Sequence, residues 1–366
     1  MRPGFLVLLG SGETSTVGGQ VFDLLVQQNK PPISIGILET PAGFELNSAY
    51  VAGRIGNFLT QHLQNYHPEV KIIPARKKGT PFSPDSPEII APLLTTHMIF
   101  LGPGSPSYAV SQLAGSLAWD TIRAMHRQGA SLIMASAAAI ASGKLSLPVY
   151  EIYKVGEDPY WKEGLDLLGY LGLSLVVVPH WNNAEGGAEL DTRRCFMGGE
   201  RFKLLQAQID PSLTLLGIDE NTALSMDFNQ ETCRVIGRDN AHVFRQGQEW
   251  HFSRGETFPL SVLGNVTWAD APEGIPALVW EKVTVAHQVE STMAAQPIEV
   301  PEQVMALVSQ RQDARTASNW SKADILRQKV QELGWSVIDT PEGPVVQQKN
   351  GPHPTRVPRT QSPTSQ

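Results

Sequence analysis

Four runs in this chain, Phe5–Leu9, Met98–Leu101, Leu132–Ala135 and Leu175–Val178, contain no polar residue at all. A strand with one wet face alternates polar and apolar side chains, whereas an unbroken apolar run of this length fits a strand covered on both faces. Ile33–Leu38, Val70–Ile73 and Leu213–Ile218 are of the same kind, with only one or two polar or glycine interruptions. Between the runs lie helical spacings. Val21, Phe22, Leu24 and Leu25 mark one helix, Val51, Ile55, Phe58, Leu59 and Leu63 share one face of a second, and Glu88–Leu94 suggests a short third. Strand and helix alternating to about residue 220 predicts an α/β domain with a doubly wound, flavodoxin-like, mostly parallel sheet.

From about Ala223 the period shortens to two. Thr232–Gly237, Ala241–Phe244 and Glu249–Phe252, split by Arg238-Asp239-Asn240 and Gln246-Gly247-Gln248, predict a small antiparallel β extension. The Pro/Gly-rich stretch 271–276 suggests a linker over 266–300. Beyond it, helices around Val304–Ala314 and Ser321–Leu333, a stop at Gly334 and an extended piece at Val337–Ile338 predict a C-terminal helical hairpin over 301–347, with Ile325, Leu326, Val330 and Leu333 as its apolar face. Residues 348–366, rich in Pro, Ser, Thr and Gln, are expected to be a disordered tail.

Ligands of open α/β sheets bind outside the carboxyl ends of the strands, so the residues that follow the apolar runs are the candidates for chemistry. Ser136 follows Leu132–Ala135 and opens the small-residue stretch Ala137-Ala138-Ala139, the setting of a nucleophile elbow. The usual elbow has glycine two residues before and after the serine; Met134 and Ala138 stand there instead. A serine that merely caps a helix is the alternative reading. His180 follows Leu175–Pro179, and Asp219-Glu220-Asn221-Thr222 follows Leu213–Ile218. A serine hydroxyl needs a base, and the base needs an acid to fix its tautomer, which gives the chain Ser136, His180, Glu220. The backbone N–H of Ala137 and that of Gly104, in Gly102-Pro103-Gly104, are candidate oxyanion donors; Pro103 has no N–H to offer. Glu39–Gly43 ends a strand on the same face and could border the site, although a plain turn explains it too. His242 and His251, on hairpin strands, read as structural.

Gly10-Ser11-Gly12-Glu13, the Gly102-Pro103-Gly104 turn, the alanine-rich serine elbow, His180 and above all Gly217-Ile218-Asp219-Glu220-Asn221-Thr222-Ala223-Leu224 resemble cyanophycinase and its relatives. Those are serine exopeptidases of the class I glutamine amidotransferase-like fold. The resemblance covers roughly residues 1–265 and implies a Ser136–His180–Glu220 triad, and the reading it supports is hydrolysis of a small peptide or amide through an acyl-enzyme; no cofactor and no metal are expected. The family's Asp-x-His-Phe is here Val178-Pro179-His180-Trp181, its Arg-Gly-Arg segment is not recognisable, and Asn182–Asp191 looks like an insertion, so a polymer of aspartate and arginine is not assumed as substrate. Arg311–Arg315, Asn319–Arg327, Leu333-Gly334-Trp335 and Asp339–Gly343 resemble the closing helical hairpin of cysteinyl-tRNA synthetases. That second resemblance implies a tRNA contact or, more blandly, a borrowed docking or stability module.

With 29 basic and 36 acidic residues the net charge is −7, which argues against general nucleic-acid or anionic-membrane binding. The two cysteines, Cys195 and Cys233, have no metal-type spacing and read as free thiols. No apolar run approaches a secretory signal or a membrane span, so a cytoplasmic protein is expected, and a homo-oligomer stays open. The rival to a hydrolase is a binding or scaffold protein of the same fold with an unreactive elbow. Met134 discriminates them, because a side chain blocking the serine would favour the scaffold.

Overall fold

The computed structural model of the chain describes residues 2–29, 32–268, 270–295, 300–340, 343–348 and 354–356. Two compact units emerge, one from Ile33–His287 with the N-terminal residues to Asn29, the other from Gln288 onward.

The first unit is built on β1 (Leu6–Leu9), β2 (Ser34–Leu38), β3 (Glu69–Ile73), β4 (Met98–Leu101) and β5 (Ser131–Ala135), which lie parallel in the order β1-β5-β4-β2-β3. Between them run α1 (Thr16–Val26), α2 (Ser48–His62), α3 (Pro87–Ile90), α4 (Pro106–Leu113) and α5 (Leu117–Arg127), and after β5 comes the short α6 (Ala137–Ala141). Why β1 and the run Leu132–Ala135 of β5 carry no polar residue is now plain. Leu6, Leu8, Leu132 and Met134 enter one hydrophobic core while Val7, Leu9, Ile133 and Ala135 enter another on the opposite face. Serines start three of these helices, α1, α4 and α5, where Ser15, Ser105 and Ser116 cap with their hydroxyls.

The chain then makes the two-residue strands β6 (Leu145–Ser146) and β7 (Lys162–Glu163), β8 (Leu175–Val178), α7 (Gly198–Ala207) and β9 (Thr214–Ile218). Antiparallel strands follow: β10 (Thr222–Asp227), β11 (Thr232–Gly237), β12 (Ala241–Arg245), β13 (Gln248–Phe252) and β14 (Thr257–Pro259). They divide between two sheets. β10, β11 and β14 extend the first sheet beyond β1, with Leu9 opposite Ala223, while β12 and β13 pair onto β9 in a second sheet, β13-β12-β9-β8-β6-β7. The mostly parallel sheet with an antiparallel extension is as expected; the second sheet is an addition to it.

The stretch expected as a linker carries α8 (Ala277–Ala295), whose Val279 and Val283 are buried with Ile275 in the larger core. Val279 and Val283 are four apart and share a helical face, and Pro276 stands just ahead of the helix, where proline is tolerated, so the Pro/Gly run starts the helix rather than loosening the chain.

In the second unit α9 (Glu302–Thr316) and α10 (Trp320–Glu332) form the hairpin expected, and β15 (Trp335–Thr340), β16 (Gly343–Gln348) and β17 (Pro354–Arg356) add a three-stranded antiparallel sheet. Val304, Val308, Val330, Trp335, Val337 and Val346 make its core. Arg311, itself buried, donates twice to Asp339 at 2.8 Å. Two expectations change here. The buried face of α10 is Ala323, Leu326 and Val330, while Ile325 and Leu333 are exposed, and Pro354–Arg356 is a strand rather than disordered tail. The rest of that tail, 349–353 and 357–366, lies outside the described residues.

Candidate active site

Ser136 sits between β5 and α6 with φ 52 and ψ −112, outside the regions that L residues prefer. Its N–H donates to Leu9 O at 3.1 Å, so the sheet ladder continues up to the serine before the backbone turns sharply into α6. Glycines are not needed around this turn for a local reason. Met134 is fully buried in the larger core and Ala138 is 1% exposed in the same core, so neither side chain points at the hydroxyl. Met134 does not border the cavity described below.

His180 leaves the end of β8 with a left-handed backbone, φ 50, and brings Nε2 to 2.9 Å from Ser136 Oγ. Its Nδ1 is 3.0 Å from Glu220 Oε1. A carboxylate only accepts, so the imidazole proton is on Nδ1 and the Nε2 lone pair faces the serine hydroxyl. Glu220 follows β9. Its Oε1 also accepts from Asn183 Nδ2 at 2.7 Å, and its N–H donates to Asn182 Oδ1 at 2.8 Å. The hydrogen bond from His180 holds the Glu220 carboxyl below the usual carboxylate range; partial burial opposes this and Asn183 assists it. Asn182–Asp191, which looked like an insertion, thus supplies the two amides that hold Glu220.

The carboxyl-end turns of β1, β2 and β4 close around these residues. Asn221 N donates to Ser11 Oγ at 2.9 Å, and Gly10 N to Thr222 O at 2.8 Å, so the Gly10–Glu13 turn buttresses the Glu220 loop. The turn after β2 is a short 3-10 helix whose Pro41 O accepts from Ser105 N at 2.9 Å. Gly104 is pressed against that turn: with φ +148, a Cβ added to it would stand 2.0 Å from Pro41 O. Only glycine fits there. Gly217, on β9, is equally constrained, because a Cβ would meet the Trp181 ring at 2.4 Å.

A cavity of about 340 Å³ opens beside the serine. Gly104, Ser136, Ala137 and His180 form one side of it, and Ile140, Val149, Tyr150, Tyr153 and Phe196 most of the rest. Cys195 also borders it, but burial pushes its thiol up to about 12, with the Glu220 charge adding to the effect, so it is no nucleophile at neutral pH. Both cysteines are free and buried.

Ser136, His180 and Glu220 are therefore brought together as a continuous chain, and Gly104 and Ala137 border the same cavity. Asp219, next to Glu220, is 3% exposed and accepts from Asn240 N at 3.0 Å, with His242 Nε2 at 3.1 Å. His242 in turn contacts His251 at 2.8 Å and stacks on Trp181, and neither histidine borders the cavity. Sequence reasoning missed Asn183, Tyr153 and Phe196. The tandem amides directly after His180 were a usable signal; the aromatic residues had none. Among the described residues no group of three or more His, Cys, Asp or Glu is placed to hold a metal, and no helix is long and apolar enough to cross a membrane.

No family model matches the chain. Among solved structures, the fold is that of a peptidase from an acI-B1 actinobacterium, with a TM-score of 0.56 and 23% identity over 70% of this chain and 97% of that one. Among curated proteins, cysteine–tRNA ligase 1 of Burkholderia lata is 32% identical over 94 residues, and the cysteine–tRNA ligase of Methanosarcina mazei is 44% identical over 48 residues. The matches take in 26% and 13% of this chain, and the chain spans only 17% and 10% of those two ligases. They agree with the C-terminal resemblance to that enzyme family.

Proposed function

We propose that this chain is a serine-type hydrolase acting as a peptidase or amidase on a small peptide or amide. The observation that carries the reading is the hydrogen-bonded chain Ser136 Oγ, His180 Nε2, His180 Nδ1, Glu220 Oε1 at the mouth of a cavity. The fold shared with the actinobacterial peptidase is compatible with it.

In this reading Ser136 Oγ attacks the carbonyl carbon of the amide as its proton passes to His180 Nε2. Glu220 stabilises the imidazolium, and the N–H groups of Gly104 and Ala137 receive the oxyanion. Collapse breaks the C–N bond, and His180 gives its proton to the departing amine. Water, deprotonated by His180, then attacks the Ser136 ester and releases the acid, returning the proton to the serine. The strained backbone at Ser136 supports the reading, because such strain persists where the surrounding structure holds a reactive group in place.

A fluorophosphonate probe tests it. Labelling of the purified protein that is abolished in Ser136→Ala supports the hydrolase; an unlabelled, folded protein would leave the scaffold reading in its place. The C-terminal unit is proposed as a separate module whose similarity to cysteine–tRNA ligases makes tRNA the partner to try first.

A further inference from the structure

Resting on the hydrolase reading, we propose that the cavity beside Ser136 receives an aromatic side chain on the acyl side of the scissile amide, with Phe196 and Tyr153 as the residues that select it. The Phe196 ring centroid lies 5.1 Å from that of Tyr153 and 6.4 Å from that of His180, so an aromatic wall begins at the base itself. Ile140 and Val149 continue the apolar surface. Aromatic side chains gain from offset or edge contacts at such separations beyond the area they bury. A cavity of about 340 Å³ is of the size of small-molecule sites, which span about 300–1,000 Å³.

The backbone around these two rings is unusual on both sides. Arg194, Cys195 and Phe196 are three consecutive non-glycine residues with left-handed φ, 60, 56 and 66. Such a run is costly and persists only when its surroundings fix it. Here Arg194 N donates to Trp181 O at 3.0 Å, Cys195 N donates to His180 O at 3.1 Å, and the Arg194 guanidinium lies 3.7 Å from the centroid of the Trp181 ring. These contacts tie Phe196 to the segment that carries His180. Facing it, Glu151–Val155 is a single π turn, a form frequent at functional sites, and it carries Tyr153.

Charge on the walls is sparse. Apart from His180, Lys154 and Glu185 are the charged side chains among the described residues that line the cavity, and Lys154 Nζ is already 4.8 Å from the Tyr153 ring centroid. Arg193 and Arg194 are engaged elsewhere, Arg193 with Asp191 at 2.8 Å and Arg194 on Trp181. A carboxylate or guanidinium on the substrate would find a single opposite charge, Lys154 or Glu185, at the cavity wall, whereas the aromatic and aliphatic surface is continuous from His180 onward.

The dipeptides Phe-Ala, Ala-Ala, Asp-Ala and Arg-Ala, followed by amine release, test the proposal beside fluorophosphonate labelling. The expected result is the highest kcat/KM for Phe-Ala, falling about 10- to 200-fold in Phe196→Ala and more steeply than kcat/KM for Ala-Ala, so that the Phe-Ala to Ala-Ala ratio collapses. Phe196→Leu keeps apolar bulk and serves if the alanine variant does not fold; it should lose Phe-Ala selectivity too. Preference for Asp-Ala or Arg-Ala by a protein that labels at Ser136 overturns the aromatic subsite and leaves the hydrolase standing. If neither labelling nor hydrolysis occurs, the hydrolase falls, and calorimetry on Ser136→Ala still decides: tighter binding of phenylalaninamide than of aspartamide upholds the subsite, and equal or reversed affinities overturn it.

Discussion

Asn183 donates its side-chain amide to Glu220 Oε1 at 2.7 Å, the same oxygen that faces His180 Nδ1. Asn183 is 1% exposed, so one fixed donor and one imidazole share a single carboxylate oxygen, and the carboxylate cannot rotate away without leaving the amide unsatisfied. Glu220→Gln should therefore lower kcat about 10²- to 10⁴-fold by presenting the imidazole with the wrong partner. Asn183→Ala should lower it less, through a misplaced acid. A larger loss in the asparagine variant than in the glutamine variant would contradict this order.

Gly104→Ala should slow acylation about 10²- to 10³-fold, the usual cost of one oxyanion donor, because the new methyl must push Pro41 and the Gly104 amide apart. The measurement is the rate of fluorophosphonate labelling, with circular dichroism to show that the sheet remains.

Met134→Ala should cost about 2–5 kcal/mol in denaturant stability, since it empties a site in the larger core, without making Ser136 more reactive. An increase in labelling rate would mean that the methionine does hinder the serine.

His126 supplies a pH prediction independent of chemistry. Burial holds its folded pKa at about 4, against 6.5 for an ordinary histidine, with the hydrogen bond to Gly4 O at 3.0 Å opposing and Arg127 assisting. The unfolded chain thus binds the proton first as pH falls, and stability is lost progressively between pH 6.5 and about 4, by roughly 3 kcal/mol in all. Urea midpoints across that range should show the slope, and His126→Gln should flatten it.

Removing residues from 300 onward should leave labelling of Ser136 unchanged, because Ser136, His180, Glu220 and Asn183 belong to the first unit. Gel-shift titration with tRNA, run on the whole chain and the truncated one, tests the partner suggested for the second unit.

The strand ends were legible because they follow runs with no polar residue, and a doubly buried strand leaves few alternatives. Ser136, His180 and Glu220 were marked out as strand-end residues in this way, Glu220 after a run interrupted by Thr214 and Gly217, and the chemistry a serine needs joined them. The second sheet was not legible, since Ala241–Arg245 reads as a hairpin strand whether its other neighbour is β9 or the first sheet. Phe196 was hidden for a different reason: left-handed residues are usually announced by glycine or asparagine, and Arg194-Cys195-Phe196 has neither. The linker was misread because Pro276 precedes a helix as readily as it ends one.

Strand β10 returns to lie against β1, the first strand of the chain, and with it Asn221 reaches back to Ser11. During synthesis Ser136 therefore leaves the ribosome well before His180 and Glu220, and the Glu220 loop can settle only by a long-range pairing, the kind of step that comes late in folding. If the hydrolase reading holds, a half-made chain carries an inert hydroxyl, and hydrolytic power arrives with the completed fold.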